Sequence, residues 1–282
     1  CVTFTWMQLC DKLLALTGNP FYADQIEKSL YNALMAALKD DASQIAKYSP
    51  MEGHRCEGEE QCGMHINCCN ANGPRAFALI PDFAVKKMGN EVYVNYYGDM
   101  SASLENGHNK VLVKQHTTYP VSNVIDITID VTKENVFGLH LRVPVWSAQT
   151  VITLNGEELK DICPGTYHAI TRKWKKGDHI QIILDMPARL LEQNQMQAIV
   201  RGPIVLARDS RFNDGFVDET LVVDSEDGIV KAEVDSVPGF AWMRLKVPVT
   251  VGTDLEGVGM YRNISFCDFA SAGNTWDKQV RY

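Results

Sequence analysis

GPRAFALIPDFAVKKMGNEVYVNYYG, residues 73–98, divides the chain in two. Up to about Lys87 the apolar residues recur at helical spacing. From Glu91 they alternate, Val92 and Val94 against Tyr93 and Asn95, which is the period of a strand. The switch near residues 88–91 predicts a helical part, residues 1–88, followed by a β part, residues 89–282.

Upstream of the switch, Pro74 suits a first helical turn and Asn72 a cap, so a helix is expected from about Pro74 to Lys87. A second helix is expected from Tyr22 to Leu38, with Ile26, Leu30, Leu34 and Leu38 along one face. The first helix carries Trp6, Leu9, Cys10, Leu13, Leu14 and Leu16 and stops at Gly18-Asn19-Pro20. It starts without Met or a cap, so the chain is expected to be the C-terminal part of something longer. Residues 39–67 form a long connection rich in Gly, Glu, Cys and His. Connections of that length within a domain are usually functional.

Downstream, residues 91–98, 110–116, 124–131, 136–143, 150–154, 179–186, 198–207 and 241–251 are strand candidates. Ile125, Ile127 and Ile129 alternate with Asp126, Thr128 and Asp130, and Asn155-Gly156 and Lys176-Gly177-Asp178 are turn signals. Many short strands with regular turns predict antiparallel β-sandwich architecture.

The 282 residues are 45% hydrophobic, enough for a packed core, and the formal charge is −8 with no long basic run. Nucleic acid is therefore not an expected partner, because phosphate binding needs a clustered positive field. No apolar stretch approaches the ~20 residues a membrane helix needs. Any signal peptide would lie upstream of this sequence, so the expectation for location stays open between bacterial periplasm and cytoplasm, and an oligomer is allowed.

Six of the eight cysteines fall within the first 69 residues: Cys1, Cys10, Cys56, Cys62, Cys68 and Cys69. Cys10 continues an apolar helical face and reads as core, and Cys163 and Cys267 read as packing thiols of the β part. The adjacent Cys68-Cys69 lies just before a helix, where the positive end of the helix dipole draws thiols toward thiolate. A thiolate there attacks an electrophile or binds a soft metal. One pair is too few ligands, so Cys1, Cys10, Cys56, Cys62, His54 and His65 are the local candidates to complete a metal set. The histidines read first as loop or pocket residues. Glu57, Glu59 and Glu60 read as a solvated loop face.

The order of these pieces resembles a known family. Cys1 on a helix, IEKSLYN at residues 26–32, Cys68-Cys69-x-Ala-Asn, LRVPVW at 141–146, Asn155-Gly156 and RGPIV at 201–205 together resemble the β-L-arabinofuranosidases of glycoside hydrolase family 127. The resemblance implies the last helices of an (α/α)6 barrel followed by antiparallel β-sandwich domains. It implies a zinc ion held by Cys1, Cys68 and Cys69, with Cys68 the catalytic nucleophile of a retaining glycosidase. Glu27 matches a pocket glutamate, Tyr48 a pocket tyrosine, and His54 and Arg55 lie where a sugar hydroxyl or carboxylate would sit. The implied substrate is a glycan ending in β-L-arabinofuranose or a related plant cell-wall sugar such as aceric acid. The family's metal-binding glutamate and its acid/base glutamate would both lie outside this chain, so the chain by itself is expected to be inactive. The family's proline after the cysteine pair is Asn70 here, which loosens the expected turn and with it the pocket rim. Two other classes fit part of the pattern: a carbohydrate-binding protein that has lost catalysis, and a structural zinc site bracing the helices.

Overall fold

The structure, a computed structural model, describes residues 1–57, 68–106, 109–194, 196–237, 239–253 and 258–282. Three helices come first. Helix α1, Val2–Thr17, ends where Gly18 takes φ +66° and returns its N–H to the Leu14 carbonyl, as the Gly-Asn-Pro signal predicts. Helix α2, Phe21–Lys28, is entered through Asn19, whose side chain accepts from the Phe21 N–H, and it continues as a π-helical segment, Ser29–Leu34. Helix α3, Cys69–Ala84, starts five residues before the expected Pro74. The Cys68 carbonyl accepts from both Ala71 and Asn72 N–H, so Cys68 rather than Asn72 begins the helix. Pro74 has no N–H to give the Asn70 carbonyl, a loss of a single ladder bond near the helix start. Among the described residues no helix is long and apolar enough to cross a membrane.

The strands run β1 Val85–Met88, β2 Glu91–Val94, β3 Met100–Asn106, β4 Asn109–His116, β5 Val124–Val131, β6 Asn135–Val143, β7 Val151–Leu154, β8 Glu157–Glu158, β9 Thr166–Trp174 and β10 Asp178–Ile183. They continue as β11 Ala188–Gln193, β12 Met196–Arg201, β13 Ile204–Ala207, β14 Val222–Val223, β15 Ser225–Glu226, β16 Ile229–Val230, β17 Glu233–Val234, β18 Arg244–Thr253 and β19 Gly259–Asp268. The chain divides into two compact units, one of residues 6–27 and 76–186, the other of residues 1–5, 28–75 and 187–282.

The first unit holds a four-stranded sheet, β1-β2-β6-β9, and a six-stranded sheet, β3-β4-β5-β10-β7-β8. All pairs are antiparallel except β2 with β6. Ile125, Ile127, Ile129, Ile180 and Ile182 form one buried row, and Val92, Val94, Leu139 and Leu141 another. Each sheet thus has one dry face, the condition for sandwich packing.

The same unit buries an ionic cluster. The fully buried guanidinium of Arg142 donates to Asp24, to Glu27 at 2.6 Å and to the Asn95 carbonyl at 2.7 Å. Tyr119 donates to the same Glu27 oxygen at 2.8 Å, and the Val145 N–H donates to Asp24 at 3.1 Å. Burial pushes the Glu27 carboxyl up, against the pull of Arg142. For Arg142 burial acts downward, and the charges of Glu27 and Asp24 outweigh it.

The second unit is built on one nine-stranded sheet, β14-β18-β19-β13-β12-β11-β16-β15, with β17 attached to β18. Asn32, on the π segment, acts as a strand partner: its amide donates to the Pro203 carbonyl and its oxygen accepts from Val205 N–H, both at 2.8 Å. A small core of Ala36, Cys267, Phe269, Ala272 and Tyr282 lies there.

Removing one partner from a buried ion cluster leaves the others uncompensated, a cost of about 3–5 kcal/mol. Arg142→Leu strands two carboxylates, whereas Glu27→Gln strands none and keeps a hydrogen-bonding oxygen. Urea unfolding is therefore expected to show Arg142→Leu destabilised by at least twice as much as Glu27→Gln; equal losses would mean that charge is not what this cluster contributes.

Candidate functional site

Cys1 directly precedes α1 and Cys68 directly precedes α3, and each carbonyl accepts the first backbone bonds of its helix. Their sulfurs lie close together: Cys1 Sγ is 2.9 Å from Cys68 Sγ and 3.9 Å from Cys69 Sγ. All three sulfurs lie within 4.8 Å of one another. Cys1 and Cys68 are exposed, Cys69 is buried, and none of the three is in a disulfide. Asn72 Nδ2 donates to Cys1 Sγ at 3.0 Å, and Arg75 donates to Asn72 Oδ1 at 3.2 Å.

The thiols lie in the wall of a cavity of about 430 Å³, which Phe4, Ile45, Tyr48 and Asn72 also line. Two local features set its opposite wall. Residues 37–46 fold back on themselves, with Leu38 bridged to Ile45 and the Ala46 N–H donating to the Ala37 carbonyl. That return presses Ile45 onto the first turn of α3 at Gly73, where an added Cβ would stand 2.2 Å from Ile45 Cδ1. The following segment is anchored by Arg55, only 1% exposed. Its guanidinium donates to the carbonyls of Ala36, Phe269 and Ala272 and lies between the Phe269 and Tyr282 rings, 4.8 and 4.4 Å from their centroids. Gly53 and Tyr282 exchange backbone bonds at 2.9 and 3.0 Å beside it.

The structure thus brings Cys1, Cys68, Cys69 and Tyr48 to one cavity. Tyr48 stands at the rim, 56% exposed. His54 is exposed and is not among the lining residues, because its neighbour Arg55 takes the inward direction. Arg55 itself has its donors spent on carbonyls, which corrects the expectation that it meets a sugar. Glu27 belongs to the buried Arg142 cluster and does not line this cavity. Cys10 and Cys267 are core thiols as expected, and burial pushes both upward in pKa. Cys163, expected to pack, is exposed, because it sits in the turn before Pro164. Cys62 and His65 lie outside the described residues. Asn72 reads in sequence as a cap and as the end of the Cys68-Cys69-x-Ala-Asn motif, and Gly73 carries no reading there; the short spacing to Cys68-Cys69 is the available signal for more.

The donor set suits a soft or borderline metal. Tetrahedral thiolates around zinc, with bonds of ~2.3 Å, stand about 3.8 Å apart; Cys1–Cys69 is close to that at 3.9 Å, and Cys1–Cys68, at 2.9 Å, would have to open by nearly an ångström. Three sulfurs with two exposed also leave room for a fourth ligand and for a substrate.

Comparison with known proteins gives the class first. Solved structures that superpose on this chain include glycoside hydrolases. One, described as a glycoside hydrolase, has a TM-score of 0.82 at 21% identity, covering 97% of this chain and 50% of its own. A second, a GH127 β-L-arabinofuranosidase from Geobacillus stearothermophilus T6, has a TM-score of 0.81 at 19% identity, covering 96% and 47%. At these identities the likeness is one of fold. The chain belongs to glycoside hydrolase family 127: residues 1–82 match the β-L-arabinofuranosidase GH127 catalytic domain and residues 91–186 its middle domain. A non-reducing end β-L-arabinofuranosidase from Bifidobacterium longum subsp. longum is 23% identical over 243 residues, 76% of this chain and 36% of the relative. The chain therefore spans half or less of the length of the relatives it matches.

Because Gly73 meets the Ile45 side chain with no room for a methyl, Gly73→Ala is expected to cost about 1–3 kcal/mol despite its better helix propensity. Arg55→Met, which strands three carbonyls, is expected to cost roughly 3 kcal/mol or more. Denaturant midpoints of both variants check this, and an unchanged midpoint for Arg55→Met would show that the segment bearing Tyr48 is anchored some other way.

Proposed function

We propose that this chain is the C-terminal portion of a retaining glycoside hydrolase that releases a terminal β-L-arabinofuranose, or a closely related plant cell-wall sugar, from a glycan, with Cys68 as nucleophile. Residues 1–88 would then be the last helices of an (α/α)6 barrel and residues 89–282 its β-sandwich region. The observation that carries the reading is the convergence of Cys1, Cys68 and Cys69 within 4.8 Å on a cavity in a chain of this family. Zinc held by these three cysteines would keep them as thiolates near neutral pH and ease the departure of sulfur in the second step.

The work of this chain's own residues follows from their positions. Cys68 is exposed at a helix N-terminus, so its sulfur is reachable and its negative charge is favoured there. Its sulfur attacks the anomeric carbon, forming a C–S bond as the C–O bond to the leaving group breaks. The leaving oxygen takes a proton from a general acid, and water, giving its proton back to that group, then displaces the sulfur with retained configuration. The described residues lining the cavity include no carboxylate, which supports a proton donor supplied from elsewhere. The buried Cys69 and the exposed Cys1 flank the nucleophile, and Tyr48 at the rim is placed to meet the sugar. A closed structural zinc would instead fill all four positions with protein ligands.

Elemental analysis of the full-length protein under reducing conditions is expected to find about one zinc per chain, falling in Cys69→Ser. Cys68→Ser is expected to lower the cleavage of β-L-arabinofuranosides at least about a thousandfold. Iodoacetamide should label Cys68, and arabinose should protect it. Zinc with no glycosidase activity and no protection by sugar would instead support a structural site in a carbohydrate-binding protein.

A further inference from the structure

The hydrogen bonds beside the thiols run in one direction. Arg75 Nη1 donates to Asn72 Oδ1 at 3.2 Å, and Asn72 Nδ2 lies 3.0 Å from Cys1 Sγ. A guanidinium has no acceptor, so the amide oxygen of Asn72 must face it. The amide nitrogen is thereby turned to the sulfur, and the sulfur of Cys1 has to accept. Arg75 is held in turn over the Phe4 ring, 5.0 Å from its centroid, and its three-residue spacing puts it on the same side of α3 as Asn72. Helix start is not what occupies the Asn72 side chain, because the Cys68 carbonyl already serves the first turn. Asparagine is otherwise a poor choice inside a helix, where its amide competes with the backbone.

We infer that Asn72 is a positioning residue for the thiolate centre: its amide orients Cys1 Sγ and withdraws electron density from it, and Arg75 locks the amide in the donating orientation. The inference rests on the reading of Cys1, Cys68 and Cys69 as metal ligands, and adds a residue outside that ligand set. Partners of this kind, which act on a ligand rather than on the metal, typically change metal affinity 10–100-fold.

The test uses the full-length protein, stripped of metal under reducing conditions, as wild type, Asn72→Ala, Asn72→Asp and Arg75→Gln. Cobalt(II) is titrated in while the affinity and the sulfur-to-cobalt charge-transfer band are read. Asn72→Ala is expected to weaken cobalt binding about 10–100-fold and to move the band to longer wavelength, since a sulfur without its N–H donor gives up electrons more readily. Asn72→Asp, with an acceptor where the donor stood, is expected to weaken binding at least as much, and Arg75→Gln to shift both readouts the same way by less. The band position is the readout that a merely structural role would not move. Should Asn72→Ala fail to fold, the other two variants decide. Wild-type and variant proteins with the same band and affinities within about threefold would overturn the role of Asn72 while leaving the metal centre standing. A wild type that shows no charge-transfer band would overturn the metal-thiolate reading and this inference with it.

Discussion

The meeting of Cys1, beside α1, with the cysteine pair at the start of α3 is the constraint on which the site depends. Cys68 spends its carbonyl on starting α3 and is left with its side chain at the positive end of that helix, while Cys1 is carried beside it by α1. The sulfurs then lie 2.9 Å apart, far longer than the ~2.05 Å of a disulfide, so they remain separate donors. Neither helix could slide by a residue without carrying its sulfur away, because one step along a helix moves a side chain by about 100° around the axis. The start of α3 therefore sets where Cys68 stands, and Gly73 lets Ile45 press against that end of the helix.

Two buried arginines solve local problems by opposite means, each in its own unit. Arg142 carries counter-charges, Asp24 and Glu27, and fixes α2 by an ionic cluster whose desolvation is costly and whose geometry is demanding. Arg55 has only carbonyls and two aromatic faces, with no carboxylate in the hydrogen bonds around its guanidinium. Burial lowers its pKa from the ordinary arginine value. A lysine could replace neither, since the planar fork reaches separate acceptors at once. What Arg55 secures is a segment without regular structure, and that segment carries Tyr48 to the cavity rim.

Strong periodicity was legible in the sequence and long-range pairing was not. The β5 strand, with Ile125, Ile127 and Ile129 buried, and the αL stop at Gly18 follow directly from local pattern. Strand β3, Met100–Asn106, was not expected, since its serines and Ala102 carry no alternating apolar signal and its partner β4 supplies the order. The start of α3 was misplaced because a proline advertises a first turn, while the doubly accepting carbonyl of Cys68 has no sequence signature. Arg55 is read toward a sugar because a charged residue in a loop shows its chemistry in sequence but not its partner. The grouping of Cys1 with Cys68-Cys69 came from resemblance, and the convergence of the three sulfurs is the independent geometric counterpart.

The cavity's composition divides the labour of the proposed reaction. Its described walls combine apolar groups, Phe4 and Ile45 among them, with thiols, a tyrosine and an amide, and carry no acid. Retaining glycosidases more often use two carboxylates about 5 Å apart, in which one environment must raise one pKa while leaving the other low. A sulfur nucleophile removes that conflict, because the two groups differ in kind and need not be pushed apart by burial. Its cost is that a thiolate bound to a metal is a weaker nucleophile and a thioglycoside a more durable intermediate. An amide aimed at Cys1 acts on a neighbouring sulfur rather than on the attacking one, so it adjusts the centre while leaving Cys68 free of any N–H donor from Asn72.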